Sequence, residues 1–435
     1  MRIPPALAAV GAALVTLGSF GPLGAQTQKP QNPPGAPLTF RSATNLVEVD
    51  VVVQDRDGRF VPGLTAEDLV VFEDGQPQPI QQFYLVNNDT GSASLPAVLP
   101  ETPGSDPRGH RLFVFLFDVG HLGNESLLRV KTGVERFINT QFRRGDYGGV
   151  FVEGEMHRDR ITSDKIELLA GLRDVAPAFD NRERMLAQFR EFPQIPGEAD
   201  AVRIELGDDR LAESLATDLC AVSAQTFEDC RAEGGIGETS RRITRKARAY
   251  VRDARINTNK TIAHLQLVSA NLATIPGRKT VMLLSDGFFS DEARGELEQV
   301  AAMAARGGTA IYSIYGRGSA VVNGRATPDT VSSRPGLTST FDTTDDGPQI
   351  LTQGTGGFVV RNINDISRAL GLVARDTSSY YVLGYAPRNA VMDGKVRRIE
   401  VKPRTAGELR VRARNSYLAS PLPPRQALRA GSGTR

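Results

Sequence analysis

Six apolar residues run without a break from Leu112 to Phe117, and Asp118 closes the run. An unbroken apolar strand is the pattern of a parallel strand with helices on both faces. Thr280–Asp286 repeats it, again ending on a carboxylate, with Gly287 next. Between and beyond these runs the period becomes helical. Leu127, Leu128, Val130, Val134, Phe137 and Ile138 place an apolar stripe on a helix over Asn124–Phe142. Gly148–Val152 and Arg160–Thr162 predict short strands, and Ser163–Val175 a helix with Ser163 as N-cap. Ser240–Ile275 is long enough for two helices or one bent one. A helix over Asp291–Arg306, a strand over Thr309–Ile314 and a long polar loop over Gly316–Asp346 follow. A short strand at Phe358–Val360 and a helix over Ile363–Ala374 complete the series. This alternation predicts an α/β domain at 109–375 with a doubly wound, mainly parallel sheet.

The flanks follow a different period. Val47, Val49 and Val51 alternate with Glu48 and Asp50, as in a half-buried strand. Turns at Asp55–Gly58 and Glu73–Gly75, with a strand over Ile80–Val86, make 40–90 a small β module. Ser379–Tyr385, Val396–Val401 and Leu409–Ala413, with a hairpin turn at Asp393-Gly394, make 378–417 a C-terminal β segment. Arg410, Arg412 and Arg414 follow ordinary strand alternation there. The similar character of the flanks suggests one β-sandwich into which the α/β domain is inserted. Pro- and Gly-rich stretches mark linkers at 26–39 and 91–108, and 418–435 reads as a disordered tail. Pro177, Pro193 and Pro196 interrupt the helical pattern, so 176–239 reads as an insertion with at least one helix near Asp208–Ala224.

Arg2, the apolar Leu7–Phe20 and the small residues of Leu23-Gly24-Ala25 predict a signal peptide over 1–25, cleaved after Ala25. The mature chain is then exported, to the periplasm or the extracellular space. In that setting Cys220 and Cys230, the only two cysteines, predict one local disulfide. A 40% hydrophobic content supports sizeable cores, and a net charge of +2 selects no nucleic-acid partner. Arg241, Arg245, Arg248, Arg252 and Arg255 line one face of a helix over 240–255. Paired with Glu228, Asp229, Glu233 and Glu238 they form a solvated face. Otherwise that stripe, or an uncleaved leader, is where a membrane would be met.

Several stretches together resemble the exported von Willebrand factor type A-related bacterial proteins of acidobacterial type. They are Val51–Gly58, Leu64–Asp68, Phe72–Gln76, Pro276–Lys279, Leu284–Gly287, Gly356-Gly357 and Tyr380–Tyr385, spread over residues from about 45 to 417. The resemblance implies a type A domain, Rossmann-like, whose first and fourth strands are neighbours. Asp118 and Asp286 would then share one edge of the sheet. It also implies a metal-ion-dependent adhesion site, with a D-x-S-x-S loop, a threonine and a further aspartate holding Mg²⁺ through hard oxygens. Here the site is degenerate: Asp118 and Asp286 stand, but Gly120 and Leu122 occupy the serine positions. The threonine falls to Thr239 or Thr258 as guesses.

Asp118, His121 and Asp286 are therefore the candidate metal ligands, for Mg²⁺ or Mn²⁺, or for Zn²⁺ through the imidazole. The structural alternatives are a His121 bonded to backbone near Asn124 and an Asp118 capping the helix that begins near Gly123. Ser285, Gly287 and Asp291 serve equally as turn and cap residues. The chain has no G-x-S-x-G elbow, H-E-x-x-H pair or P-loop, and only four histidines, so a non-enzymatic reading leads. The expected function is an extracytoplasmic protein-binding or adhesion-type module. Its partner, a protein or cell-envelope component, would dock at Asp118, Gly120, His121, Asp286 and Gly287. A structural scaffold of an envelope assembly and a divalent-metal-dependent hydrolase are the alternatives.

Overall fold

A computed structural model describes residues 46–88, 110–288, 293–317, 346–361, 364–404 and 409–422. The leader at 1–25, the linkers at 26–39 and 91–108, most of the 316–346 loop and most of the tail lie outside the described residues. The chain opens with β1 (Val47–Gln54), β2 (Leu69–Glu73), β3 (Gln76–Gln78) and β4 (Gln82–Asn87). Next come β5 (Leu112–Phe117), α1 (Asn124–Thr140), β6 (Tyr147–Val152), β7 (Glu155–Met156) and α2 (Lys165–Asp174). A helical excursion holds α3 (Arg182–Ala187), α4 (Glu198–Glu205), α5 (Asp209–Val222) and α6 (Ala224–Ala232), and returns through the long α7 (Ile236–Leu272). Then follow β8 (Lys279–Ser285), α8 (Arg294–Arg306), β9 (Thr309–Tyr315), α9 (Asp346–Thr355), β10 (Val359–Val360) and α10 (Ile366–Asp376). The last strands are β11 (Ser379–Tyr385), β12 (Val396–Pro403), β13 (Arg410–Ala413) and β14 (Ser416–Leu418).

β5 is buried at every residue because alternate side chains enter two different cores. Phe113, Phe115 and Phe117 pack on Val130, Val134 and Phe137 of α1 and on Leu370 and Val373 of α10. Leu112, Val114 and Leu116 pack on Leu265, Val268 and Leu272 of α7 and on Val300, Ala301 and Ala304 of α8. The six-stranded sheet runs β10-β9-β8-β5-β6-β7, parallel except for the β6–β7 hairpin. The chain winds outward from β5 to β6, then crosses back to β8 and winds the other way. β5 and β8 thus flank the topological switch point, where open α/β sheets leave a crevice. Asp118 and Asp286 stand just past the ends of those two strands.

Both flanks contribute to each of two four-stranded sheets, β13-β1-β11-β4 and β14-β12-β2-β3. Val47, Val49, Val51 and Val53 of β1, Val71 of β2, Tyr381 and Leu383 of β11 and Ile399 of β12 share one core between them. β1 lies between β11 and β13, so the first strand of the chain is held by two of the last.

Several local expectations need correction. The stretch expected to hold two helices or a bent one is a single 37-residue helix, starting at Ile236 rather than Ser240. It stays continuous because Ile243, Ala247, Tyr250, Val251 and Ala254 face the excursion while its second half faces the sheet. The excursion is four ordered helices, three of them under ten residues, too short for a periodic signal to stand out. Asp164, not Ser163, caps α2, accepting from the Ile166 N–H at 2.8 Å. Arg160–Thr162 is no strand beyond one bridge from Thr162 to Gly148. The Cys220–Cys230 disulfide ties α5 to α6, Cα atoms 5.5 Å apart. Of the arginine stripe, Arg241 and Arg245 pair with Glu238 as expected, whereas Arg252 pairs with Asp253 and Arg255 with Glu205, and Glu233 is taken by Arg242, off the stripe. Among the described residues no helix is long and apolar enough to cross a membrane.

Arg412 and Arg414 follow the strand alternation expected of them, and their face has a further role. They alternate with Val411 and Ala413 as a strand requires, but their face meets the α/β domain instead of solvent. Arg412 grips Asp376 at the end of α10 and the Gly356 carbonyl, and Arg414 donates to the carbonyls of Ala305 and Glu48. Arg278, from the turn before β8, joins them by donating to Tyr312 Oη at 2.8 Å and lying over the Tyr380 ring. Tyr312 in turn donates to Asp376 at 2.5 Å. This buried arginine–aspartate–tyrosine cluster joins sandwich to α/β domain.

Two outcomes are expected. Asp376→Asn leaves Arg412 without its carboxylate and Arg278 with only Asp50, 3.9 Å away, and breaking a buried ion pair costs about 3–5 kcal/mol, readable as a shift in the urea midpoint. A chain ended at Asp376 loses both neighbours of β1, so limited proteolysis should cut within 46–88 at sites the full chain protects. Continued protection there would contradict the pairing.

Candidate functional site

The site begins with a turn. Asp118 continues β5 by donating its N–H to the Leu284 carbonyl at 3.0 Å. Its own carbonyl accepts from the N–H groups of His121 and Leu122, which folds the loop back on itself. The imidazole of His121 then lies against the Asp118 carboxylate, with Nδ1 at 3.0 and 2.9 Å from the two oxygens. From α7 the Thr261 hydroxyl donates to Oδ1 at 2.8 Å, and from β8 the Ser285 hydroxyl donates to Oδ2 at 2.7 Å. Thr261 gets there by helical spacing. Asn257, Thr261, Leu265, Val268 and Leu272 form one stripe of α7, apolar over the sheet and polar where it passes the edge. Burial alone would push the Asp118 carboxyl up. The charge of His121 and the hydrogen bonds from His121, Ser285 and Thr261 outweigh it and hold the group below the ordinary carboxylate range.

Asp286 does less. Its Oδ2 accepts from the Gly123 N–H at 3.1 Å, at the start of α1. Its backbone carbonyl accepts from Arg317. Its Oδ1 is buried and has no hydrogen-bond partner among the described residues. Gly287 takes a left-handed turn and donates its N–H to Ser285 Oγ at 3.2 Å. Gly120 and Leu122, at the two serine positions, have their own structural reasons. A Cβ at 120 would stand 3.3 Å from the Asn257 amide carbon, and Leu122 is buried in the core with α1. Thr239 sits in the first turn of α7, bonded to the Gly235 carbonyl beside the disulfide. Thr258 is buried with an unpartnered hydroxyl. Neither is the threonine on Asp118. Thr261 is, and the sequence carried no motif to single it out.

The excursion roofs this edge. Arg182 donates its N–H to the Gly120 carbonyl at 2.9 Å, and Glu183 accepts from the Asn124 N–H at 2.8 Å. Asn181 donates to Asn124 Oδ1, and the Asp180 carbonyl accepts from Asn257. Beneath the roof, Arg182 pairs with Glu198, which also accepts from Tyr250. Burial would raise Glu198, but the Arg182 charge and the hydrogen bonds from Arg182 and Tyr250 together outweigh it and hold the carboxyl below its ordinary range. The consequence corrects the expected docking edge. Asp118 is 5% exposed, His121 4% and Asp286 2%, and Gly287 is buried as well. Only Gly120 retains partial exposure. The excursion and α7 lie over those carboxylates.

Metal ligation fares similarly. Proton donors engage both oxygens of Asp118, and Gly120 and Leu122 bring no side-chain oxygen to the loop. Among the described residues no three His, Cys, Asp or Glu side chains are grouped so as to hold a metal ion. What remains open is a narrow cleft between the β6–β7 turn and α7, lined by Gly120, Glu153, Asp180, Asn257, Lys260 and His264. Five of these were not candidates from sequence. Asn257, Lys260 and His264 share one face of α7, while Gly120, Glu153 and Asp180 come from three separate loops.

No family model matches the chain, and no curated protein does. Among solved structures it is similar to the conserved hypothetical protein BatB from Bacteroides thetaiotaomicron, at 16% sequence identity. The match covers 62% of this chain and 98% of that one, with a TM-score of 0.28, and a likeness at that level carries no argument about function.

Because Asp118 is held below its unfolded value, its contribution to stability is present above the unfolded pKa of about 4. It is lost as pH falls through the lower folded value. Asp118→Asn should therefore be less stable at pH 7 by about 1–3 kcal/mol, with the gap closing as pH drops below about 4. Urea denaturation of both proteins across pH checks this. A gap that does not change with pH would show that the charge is not what matters.

Proposed function

We propose that the chain is a non-enzymatic, extracytoplasmic protein-binding module, type A-like in its α/β part, that meets its partner at the rim of the roofed edge. The observation carrying this reading is the saturation of Asp118. A carboxylate whose two oxygens accept from Ser285, Thr261 and His121 is neither a free general base nor an open metal ligand. His121 is tied to the same carboxylate, so the hydrolase reading lacks a group to activate water. On this reading the switch point is a structural lock and holds no divalent cation. The type A reading is supported by the strand order and by two aspartates and a threonine at the switch point. The disulfide fits an oxidising compartment. What stays accessible where such sheets recognise ligands is the rim around Gly120 and Glu153.

Two measurements test the reading. Calorimetric titration with Mg²⁺, Mn²⁺ or Zn²⁺ should give no saturable heat, and one-to-one binding lost in both Asp118→Ala and Asp286→Ala would overturn the metal-free site. In capture from the native envelope, Glu153→Lys should lose the partner while Glu135→Lys, on the exposed face of α1, keeps it. If both variants behave as the natural chain does, the scaffold reading takes over.

A further inference from the structure

The cleft beside Gly120 has a chemistry of its own. Asn257 lines it, is 2% exposed, and leaves its Oδ1 without a hydrogen bond. The amide cannot simply be turned round, because its nitrogen is committed to the Asp180 carbonyl at 3.3 Å. A buried acceptor with no donor costs about 1–3 kcal/mol, so the free oxygen points to something that fills the space. Glu153 lines the same cleft, placed there by the tight turn that joins β6 to β7, where its φ is +49°. Asp180 adds a second carboxylate at the mouth. The free volume is about 10 Å³, room for one water-sized group. Phe117, Val119 and Ala178 supply apolar walls.

We infer that this cleft receives a single primary ammonium group, the side chain of a lysine on the protein partner. The inference rests on the rim reading above. An ammonium is water-sized and has three donors and no acceptor. The cleft offers the free Asn257 Oδ1 and the Glu153 carboxylate, with the Asp180 carboxylate shared with Lys260; Thr261, His264 and the already bonded Asp118 also line it. The apolar walls suit the methylene stem, which lysine buries while its charge is satisfied beyond. A guanidinium is planar and too broad for the space, and a carboxylate would face Glu153 and Asp180 directly. Lys260 supports the assignment and also competes with it. Its ammonium lies 3.4 Å from Asp180 Oδ2 at the mouth, with nearly half the side chain exposed. It shows that the rim carboxylate accepts an ammonium, while Glu153 and Asn257 are left for the incoming one. Gly120 is part of the site, because any side chain there would press on the Asn257 amide.

The probe is Nα-acetyl-lysine methylamide, titrated into the full chain and followed by NMR shifts of α7 and of the β6–β7 turn. The Nε-acetylated and norleucine analogues serve as controls. The lysine compound should bind at least about tenfold more tightly than either control, as loss of a charge-assisted hydrogen bond implies. Glu153→Gln, an exposed change that the fold tolerates, should weaken it by a similar factor. Gly120→Ala should weaken it through Asn257, and Lys260→Ala should strengthen it by removing the competitor. Equal binding of lysine and norleucine compounds, no effect of Glu153→Gln, or weaker binding in Lys260→Ala each overturns the inference. So does the absence of saturable binding, which leaves the cleft to a water. Partner capture separates this from the rim reading. Capture that survives Glu153→Gln but not Glu153→Lys rejects the lysine and keeps the rim, whereas capture that survives both rejects the rim itself.

Discussion

A carboxylate placed at the end of a buried strand has to be answered, because an ionised group out of water without partners is costly by several kcal/mol. In this protein Asp118 is that group, and much of the site follows from answering it. Ser285 is brought beside it by the parallel register of β5 and β8, one residue past the pairing of Phe117 with Leu284. Thr261 reaches it only if α7 crosses the sheet so that its polar end passes the edge. His121 reaches it only if the loop turns within three residues. Each of these conditions is met by backbone hydrogen bonds or by apolar packing elsewhere, so the network is held from outside itself. The side chains that satisfy Asp118 are the ones that close the switch point to other chemistry.

The roof is the second layer of the same arrangement. The excursion between α2 and α7 would be a pendant bundle if it packed only on α7. Instead the segment from Asp180 to Glu183 lays backbone and side-chain groups on the loop from Gly120 to Asn124, and Arg182 is anchored behind by Glu198 and Tyr250. α7 carries both interfaces on one continuous helix. Its first half binds the excursion and its second half covers the sheet, so the roof and the Asp118 partner are set by one rigid element. What stays open lies further out, at a rim assembled from the β6–β7 turn, the start of the excursion and α7, where recognition is proposed.

The junction with the sandwich uses a different solution to the same electrostatic problem. Arg278, Arg412 and Arg414 meet Asp376 and Asp50, the side chains of Tyr312, Tyr380 and Tyr417, and several backbone carbonyls. Planar guanidinium groups suit this, since they stack on rings and fork onto oxygens while staying charged. The two sheets are completed by strands from opposite ends of the described chain, and α10 passes into β11 with only Thr377 and Ser378 between them. The sandwich and the α/β part are therefore tied by covalent shortness as well as by the cluster.

The amino-acid sequence by itself determined the class of the fold, because hydrophobic period is a local property. Six unbroken apolar residues ending at Asp118, the repeat at Thr280–Asp286 and the alternating valines of β1 each report which faces are covered. Period does not report what covers them. The face of Arg412 and Arg414 was legible as a face, and only the tertiary structure decided that it meets Asp376 and not water. Likewise Asp118 and Asp286 could be placed at one edge from strand order, but the partner of Asp118 could not be read. Thr239, Thr258 and Thr261 are equivalent on paper, and a helix crossing angle chooses among them. Three of the excursion's four helices carried too few turns for a pattern, and its roofing contacts join residues 57 to 77 positions apart, such as Asn181 with Asn124 and Asp180 with Asn257. Local chemistry named the carboxylates. Long-range packing decided that they are locked, and where an opening remains.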